Sequence, residues 1–127
     1  MKRFTFWLDS YSVDEELIGQ VLSGVKSATA RPKYSWGVPA HDFDSARFDE
    51  GDLVEWYDLG QRLRGHLRMT EIYEFQFGTI PERLWLGEAC RDAEDFRDAH
   101  RRGWPHISLA DDLGLMAMHF ELVSREE

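Results

Sequence analysis

Between Ser12 and Gly24 the apolar residues Val13, Leu17, Ile18, Val21 and Leu22 recur at helical spacing and form a single stripe. No other segment limits the fold as strongly, because it commits a dozen residues near the start of the chain to a helix that must bury one face. Ser12 followed by Glu15 has the capping-box pattern for the helix start. Gly24 stands where a left-handed residue ends it. The flanking segments alternate instead. Phe4, Phe6 and Leu8 share one face of a strand over 3–8, and Lys26 to Arg31 reads as a second strand.

From Pro32 to Gly51 the sequence is irregular, and a loop of that length in a small domain is usually functional or mobile. Leu53 to Tyr57 is the next strand, Asp58 to Gly60 a turn, and Arg62 to Phe77 a long strand or hairpin arm. Thr79 with Glu82 repeats the capping-box pattern, with Pro81 suited to the first turn of a helix ending near Glu88 or Ala89. Asp92 with Asp95 opens a further helix that carries Phe96, Ala99 and His100 and stops at Gly103. Gly114 to Val123 is the last strand. The order of strands and helices predicts an α+β fold with a curved antiparallel sheet or small barrel and helices at its ends. At 127 residues, with 43% hydrophobic and 31% charged residues and no repeat or linker, the chain reads as one domain spanning 1–127.

Charge narrows the partners. Fifteen basic against 24 acidic residues give a net charge of −9, which excludes the broad basic face that a long duplex needs. A small ligand or a short single-stranded RNA suits this balance, and extended duplex DNA does not. No run approaches the ~20 apolar residues of a membrane span, and the N-terminal apolar run is too short for an export leader. The single cysteine, Cys90, leaves no internal disulfide, so a reducing, cytoplasmic setting is expected. Nothing in these patterns sets the oligomeric state.

The most specific local string is Gly24-Val-Lys26-Ser-Ala-Thr29-Ala-Arg31. It supplies a cation, a hydroxyl and a planar five-donor fork within six residues. Thr29 and Arg31 share a face of an extended strand, whereas Lys26, three residues before Thr29, points the other way. For Lys26 and Thr29 to serve one site, Lys26 must lie in the turn before the strand or a bulge must intervene. Taken without wider context, the same residues also suit solvated charges at a strand edge.

Gly24-x-Lys26-x-x-Thr29-x-Arg31 after an amphipathic helix resembles the signature of the ASCH domain family. So do Glu50-Gly51-Asp52 before a strand, Ile72-Tyr73-Glu74 followed by Phe77, Glu88 followed by Phe96 and His100, and the closing His119 to Val123. The resemblance covers about 24 to 123. Ala89 stands where many relatives carry Gly and Phe96 where they carry Trp; Pro32 directly after Arg31 and the long following loop also depart from the pattern. The resemblance implies a PUA-like fold, a small mixed and mostly antiparallel β-barrel with helices at its ends, and a cleft for RNA or modified nucleosides. Some small bacterial members are N(4)-acetylcytidine amidohydrolases that use a Lys, a Thr and a distant Glu. By position these are Lys26, Thr29 and Glu88 here.

Amide hydrolysis needs a nucleophile, a proton acceptor and a stabilised oxyanion. Thr29 supplies the hydroxyl, Lys26 is either a neutral base or an oxyanion-holding cation, and Glu88 can carry the proton. Arg31 suits a substrate clamp, with Lys33 beside it, and Tyr34 and Trp36 either stack a base or pin the loop to the core. Three readings stand: a hydrolase of an acylated pyrimidine nucleoside, a non-catalytic module for RNA or a modified nucleoside, and a ribonuclease. No cofactor or metal is expected, since His41 to Asp44 has no second histidine at ligand spacing. His100, on a helix with Phe96, reads as a packed or hydrogen-bonded structural histidine ahead of an acid or a ligand. Cys90 has no ordered His and Asn partners that would make it a nucleophile. Trp7, Trp56, Trp85 and Trp104 read as core or cleft-wall residues.

Overall fold

A computed structural model describes residues 1–7, 11–38 and 44–126, the side chains of 11–14 apart. The longest strand organises it. In β4 (Leu63–Gln76) Leu67 and Met69 bury into one core, and Phe75 buries into another on the opposite face. A register shift between Met69 and Glu71 lets the strand change which parity faces which core. β5 (Gly114–Arg125) runs antiparallel to it and divides the same way, with Leu115 and Ala117 in one core and Met118 and Phe120 in the other. The sheet is therefore covered on both faces.

The remaining strands are β1 (Lys2–Phe4), β2 (Ala28–Pro32) and β3 (Leu53–Tyr57), and the order across the sheet is β1-β3-β4-β5-β2. β1 pairs parallel with β3, and the other pairings are antiparallel. Among the described residues the two edge strands do not pair with each other, so the sheet is open and the expected barrel is corrected. Its first strand is too short to reach round the sheet, and α1 (Tyr11–Leu22) carries the chain from one edge to the other.

α1 buries Ile18 and Val21 against Phe4, Phe6 and Trp56. α2 (Glu82–Gly87) buries Leu84, and α3 (Ala93–Gly103) buries Phe96, both in the second core. The expected cap of α3 forms, with Asp92 accepting from the Asp95 N–H at 2.8 Å. The expected Thr79–Glu82 capping box does not: Pro81 occupies the cap without a side-chain bond, and Thr79 instead closes a bridge to Gln76. The Ser12–Glu15 box and the inward face of Leu8 lie outside the described residues and side chains. Within the 32–51 loop, Lys33–Ser35 form a single 3₁₀ turn.

Candidate active site

Gly24, with φ of +83°, ends α1 in the left-handed region that a side chain resists. The Lys26 N–H then returns to the Gln20 carbonyl at 3.0 Å. Lys26 thus lies in the turn before β2, which starts at Ala28, and no bulge is needed to bring it round to Thr29. The end of α2 docks against the same point. Gly87 accepts from the Ser27 N–H at 2.7 Å, and a Cβ on Gly87 would lie 2.8 Å from the Ala28 Cβ. This contact sets the next residue, Glu88, beside Lys26. Ala89 follows at φ +62°, a left-handed conformation costing about 1–2 kcal/mol for a residue with a side chain. The strain falls where the sequence departs from the family's glycine.

Lys26 donates to Glu88 Oε1 at 3.1 Å, and the two side chains are only 3% and 7% exposed. A carboxylate at a helix C-terminus opposes the helix dipole, and Lys26 offsets this. Glu88 Oε2 is buried and has no hydrogen-bond partner, an open acceptor of the kind that folded proteins seldom leave. Both residues line a cavity of about 320 Å³ together with Thr29 and His100. Phe6, Trp7 and Trp104 form an aromatic wall, and the charged residues Glu16, Asp95 and Arg102 also line the cavity. The volume lies at the low end for small-ligand sites, which typically run about 300–1,000 Å³. None of the described residues hydrogen-bonds the Thr29 hydroxyl, so it faces the cavity without a tie to Lys26 or Glu88.

His100 belongs to this site as well. Its Nδ1 lies 2.8 Å from the Phe96 carbonyl, which can only accept, so Nδ1 carries the proton. Its Nε2 lies 3.6 Å from Glu88 Oε1. The ring stacks on Phe96 at 3.9 Å and meets the edge of Trp104 at 4.7 Å. Burial holds the imidazole below its usual range, with Glu88 opposing. Its approach to Glu88 is not visible in the sequence, where a packed role outweighs that of an acid or ligand, because the carboxylate comes from the end of another helix. Cys90 also lines the cavity, and burial, reinforced by Glu88, pushes its thiol up to about 11, so it is a poor nucleophile at neutral pH.

The other candidates lie elsewhere. Arg31 does not line the cavity. Its guanidinium, 3% exposed, pairs with Asp44 at 2.9 Å, donates to the Thr5 carbonyl at 2.7 Å and the Ser45 carbonyl at 3.3 Å, and packs over Phe4 and Phe48. Lys33 is exposed and pairs with Glu74 at 2.9 Å. Tyr34 is 62% exposed. Trp36 leans edge-on against Phe48 of the first core. His41 and Asp42 lie outside the described residues, and among those described no three His, Cys, Asp or Glu side chains are grouped to hold a metal ion. None of the described helices is long and apolar enough to cross a membrane.

The arrangement defines a small α+β domain with a lysine–carboxylate cleft between its first and last helices. Its fold is that of the ASCH domains. Protein EF3133 from Enterococcus faecalis V583, of the family DUF984, is similar with a TM-score of 0.79 at 17% identity over 98% of this chain and 78% of that one. An ASCH domain from Lactobacillus crispatus JV V101 gives 0.72 at 16% identity over 97% and 80%. An ASCH protein from Zymomonas mobilis gives 0.55 at 10% identity over 98% and 73%. No family model and no curated protein matches the sequence.

Proposed function

We propose that the chain hydrolyses the amide of an acylated pyrimidine nucleoside, of which N(4)-acetylcytidine is the test case. The observation that carries this reading is the Lys26–Glu88 pair, buried in the wall of the same cavity as Thr29. The base and its acyl group enter between the aromatic wall and β2. The Thr29 hydroxyl attacks the acyl carbonyl while Glu88 accepts the hydroxyl proton. Lys26, already donating to Glu88, faces the developing oxyanion as a cation. The proton passes from Glu88 to the departing amine nitrogen, which leaves as cytidine. Water then adds to the acyl–threonine ester, releasing the acid and restoring the hydroxyl.

Incubation of the purified protein with N(4)-acetylcytidine and chromatographic assay of cytidine tests this. Glu88→Gln keeps an oxygen for Lys26 but cannot accept the proton, and a loss of about 10²–10⁴-fold in kcat is expected. No cytidine above the level of a Lys26→Ala control defeats the enzyme reading. The untied Thr29 hydroxyl favours a second reading, in which the same cavity binds a modified nucleoside, free or at the end of a short single-stranded RNA, without cleaving it. Under that reading Thr29→Val leaves affinity unchanged and no product forms.

A further inference from the structure

Lys26, Glu88 and His100 lack one proton for a complete network. His100 Nδ1 is committed to the Phe96 carbonyl, so the neutral ring presents a lone pair at Nε2. That lone pair lies 3.6 Å from Glu88 Oε1, a second acceptor, which already takes a bond from the Lys26 ammonium at 3.1 Å. The ring has no freedom to turn away, clamped between Phe96 and Trp104, whose own Nε1 is anchored on the Trp7 carbonyl at 2.8 Å. One added proton bridges the two acceptors.

We propose that His100 is a positioning residue for Glu88: its Nε2 shares with Glu88 Oε1 the proton taken from the Thr29 hydroxyl, holding it until the amine departs. The inference rests on the hydrolase reading above and adds a member to its proton path. The balance is unchanged, since one proton leaves the hydroxyl, resides between Oε1 and Nε2, and ends on the amine nitrogen. The groups that face His100 are consistent with the role. Glu88 comes from the end of α2 and Lys26 from the turn before β2; the cavity wall adds Cys90, Asp95 and Arg102 around α3 and Glu16 from α1. Burial, aided by Lys26, favours the neutral ring, and Glu88 favours the protonated one.

Two measurements test it. The first follows the His100 ring by NMR against pH in the wild type and in Glu88→Gln, without substrate. The expected result is titration below the usual imidazole range in the wild type and lower still in Glu88→Gln, because the charge that favours the imidazolium is gone. An unchanged titration overturns the proposal. The second compares pH–rate profiles of the wild type and His100→Gln, whose amide can donate to Glu88 but cannot receive a proton. The expected result is a fall in kcat of about tenfold or more and a pH profile that no longer carries the titration of His100. His100→Asn, which keeps a donor for the Phe96 carbonyl, is the second variant should His100→Gln fail to fold. A folded variant whose profile superimposes on the wild type overturns the proposal. A wild type inert toward N(4)-acetylcytidine defeats the hydrolase reading, whereas the substrate-free titration upholds or defeats the coupled pair by itself.

Discussion

Lys26→Met is expected to lower the unfolding free energy by about 3–5 kcal/mol, the usual result of removing one partner from a buried ion pair. Methionine follows the lysine stem past Phe6, over whose ring the ammonium lies at 5.4 Å, so the loss is not one of volume. What remains is a carboxylate, 7% exposed, with Oε2 already unpartnered and Oε1 stripped of its cation. Lys26→Met with Glu88→Leu removes both charges and is expected to recover most of the loss, because well-packed apolar side chains often replace a buried pair at no net cost. Urea unfolding of the four proteins in this cycle measures it, with midpoints compared at constant m. A single variant within about 0.5 kcal/mol of wild type, the scatter of ordinary surface changes, would mean that the pair is hydrated and the site open to bulk water.

The second large effect is expected at Arg31. Arg31→Met cuts the ion pair to Asp44 and the bonds to the Thr5 and Ser45 carbonyls, which together tie β2 to the strand-edge segment after β1 and to the far side of the long loop. A loss of about 3–5 kcal/mol follows from the same argument. Arg31→Lys is expected to restore only part of it, since an ammonium has no planar fork to reach three acceptors at once. Burial favours loss of the guanidinium charge and Asp44 opposes this, so the pair and not the arginine alone is the structural unit. Under conditions where the variant is folded, nucleoside affinity is expected to stay within about twofold of wild type, the margin of a surface change of a few tenths of a kcal/mol. A stable Arg31→Met protein with weakened binding would return Arg31 to the role of substrate clamp.

The sequence and the structure agree where the signal is local and separate where it is not. The stripe of α1, the glycine that ends it and the Asp92 cap of α3 each rest on residues within one or two turns, and each is legible. The placement of Lys26 follows from Gly24 in the same way. The face of Arg31 was legible, opposite Ala28 and Ala30 of the second core, but its burial was not, because Asp44, which pairs with it, comes from the long loop. The open sheet was not legible either, since the difference between an open sheet and a closed one lies in whether two edges meet. The shift near Thr70 in β4 leaves no mark in the order of residues. Thr79 lost its expected role because Pro81 takes the cap, two residues later than the pattern implies. Glu88 was legible only through the family resemblance; the close approach of Gly87 to Ala28 is the physical reason that it reaches Lys26.

The claim on which the rest depends is that Lys26, Thr29 and Glu88 face one ligand in one cavity. Two-dimensional NMR of Glu88→Gln, titrated with N(4)-acetylcytidine and with cytidine, tests it most directly, because that variant is expected to turn over too slowly to deplete the ligand. The indole N–H of Trp7, buried at the cavity wall without an acceptor, and the ring of His100 are convenient reporters. The account requires saturable shifts at Thr29, Lys26, His100, Trp7 and Trp104, larger for the acylated nucleoside. Shifts confined to Lys33, Tyr34 and Trp36, with the cavity residues unmoved, would contradict it.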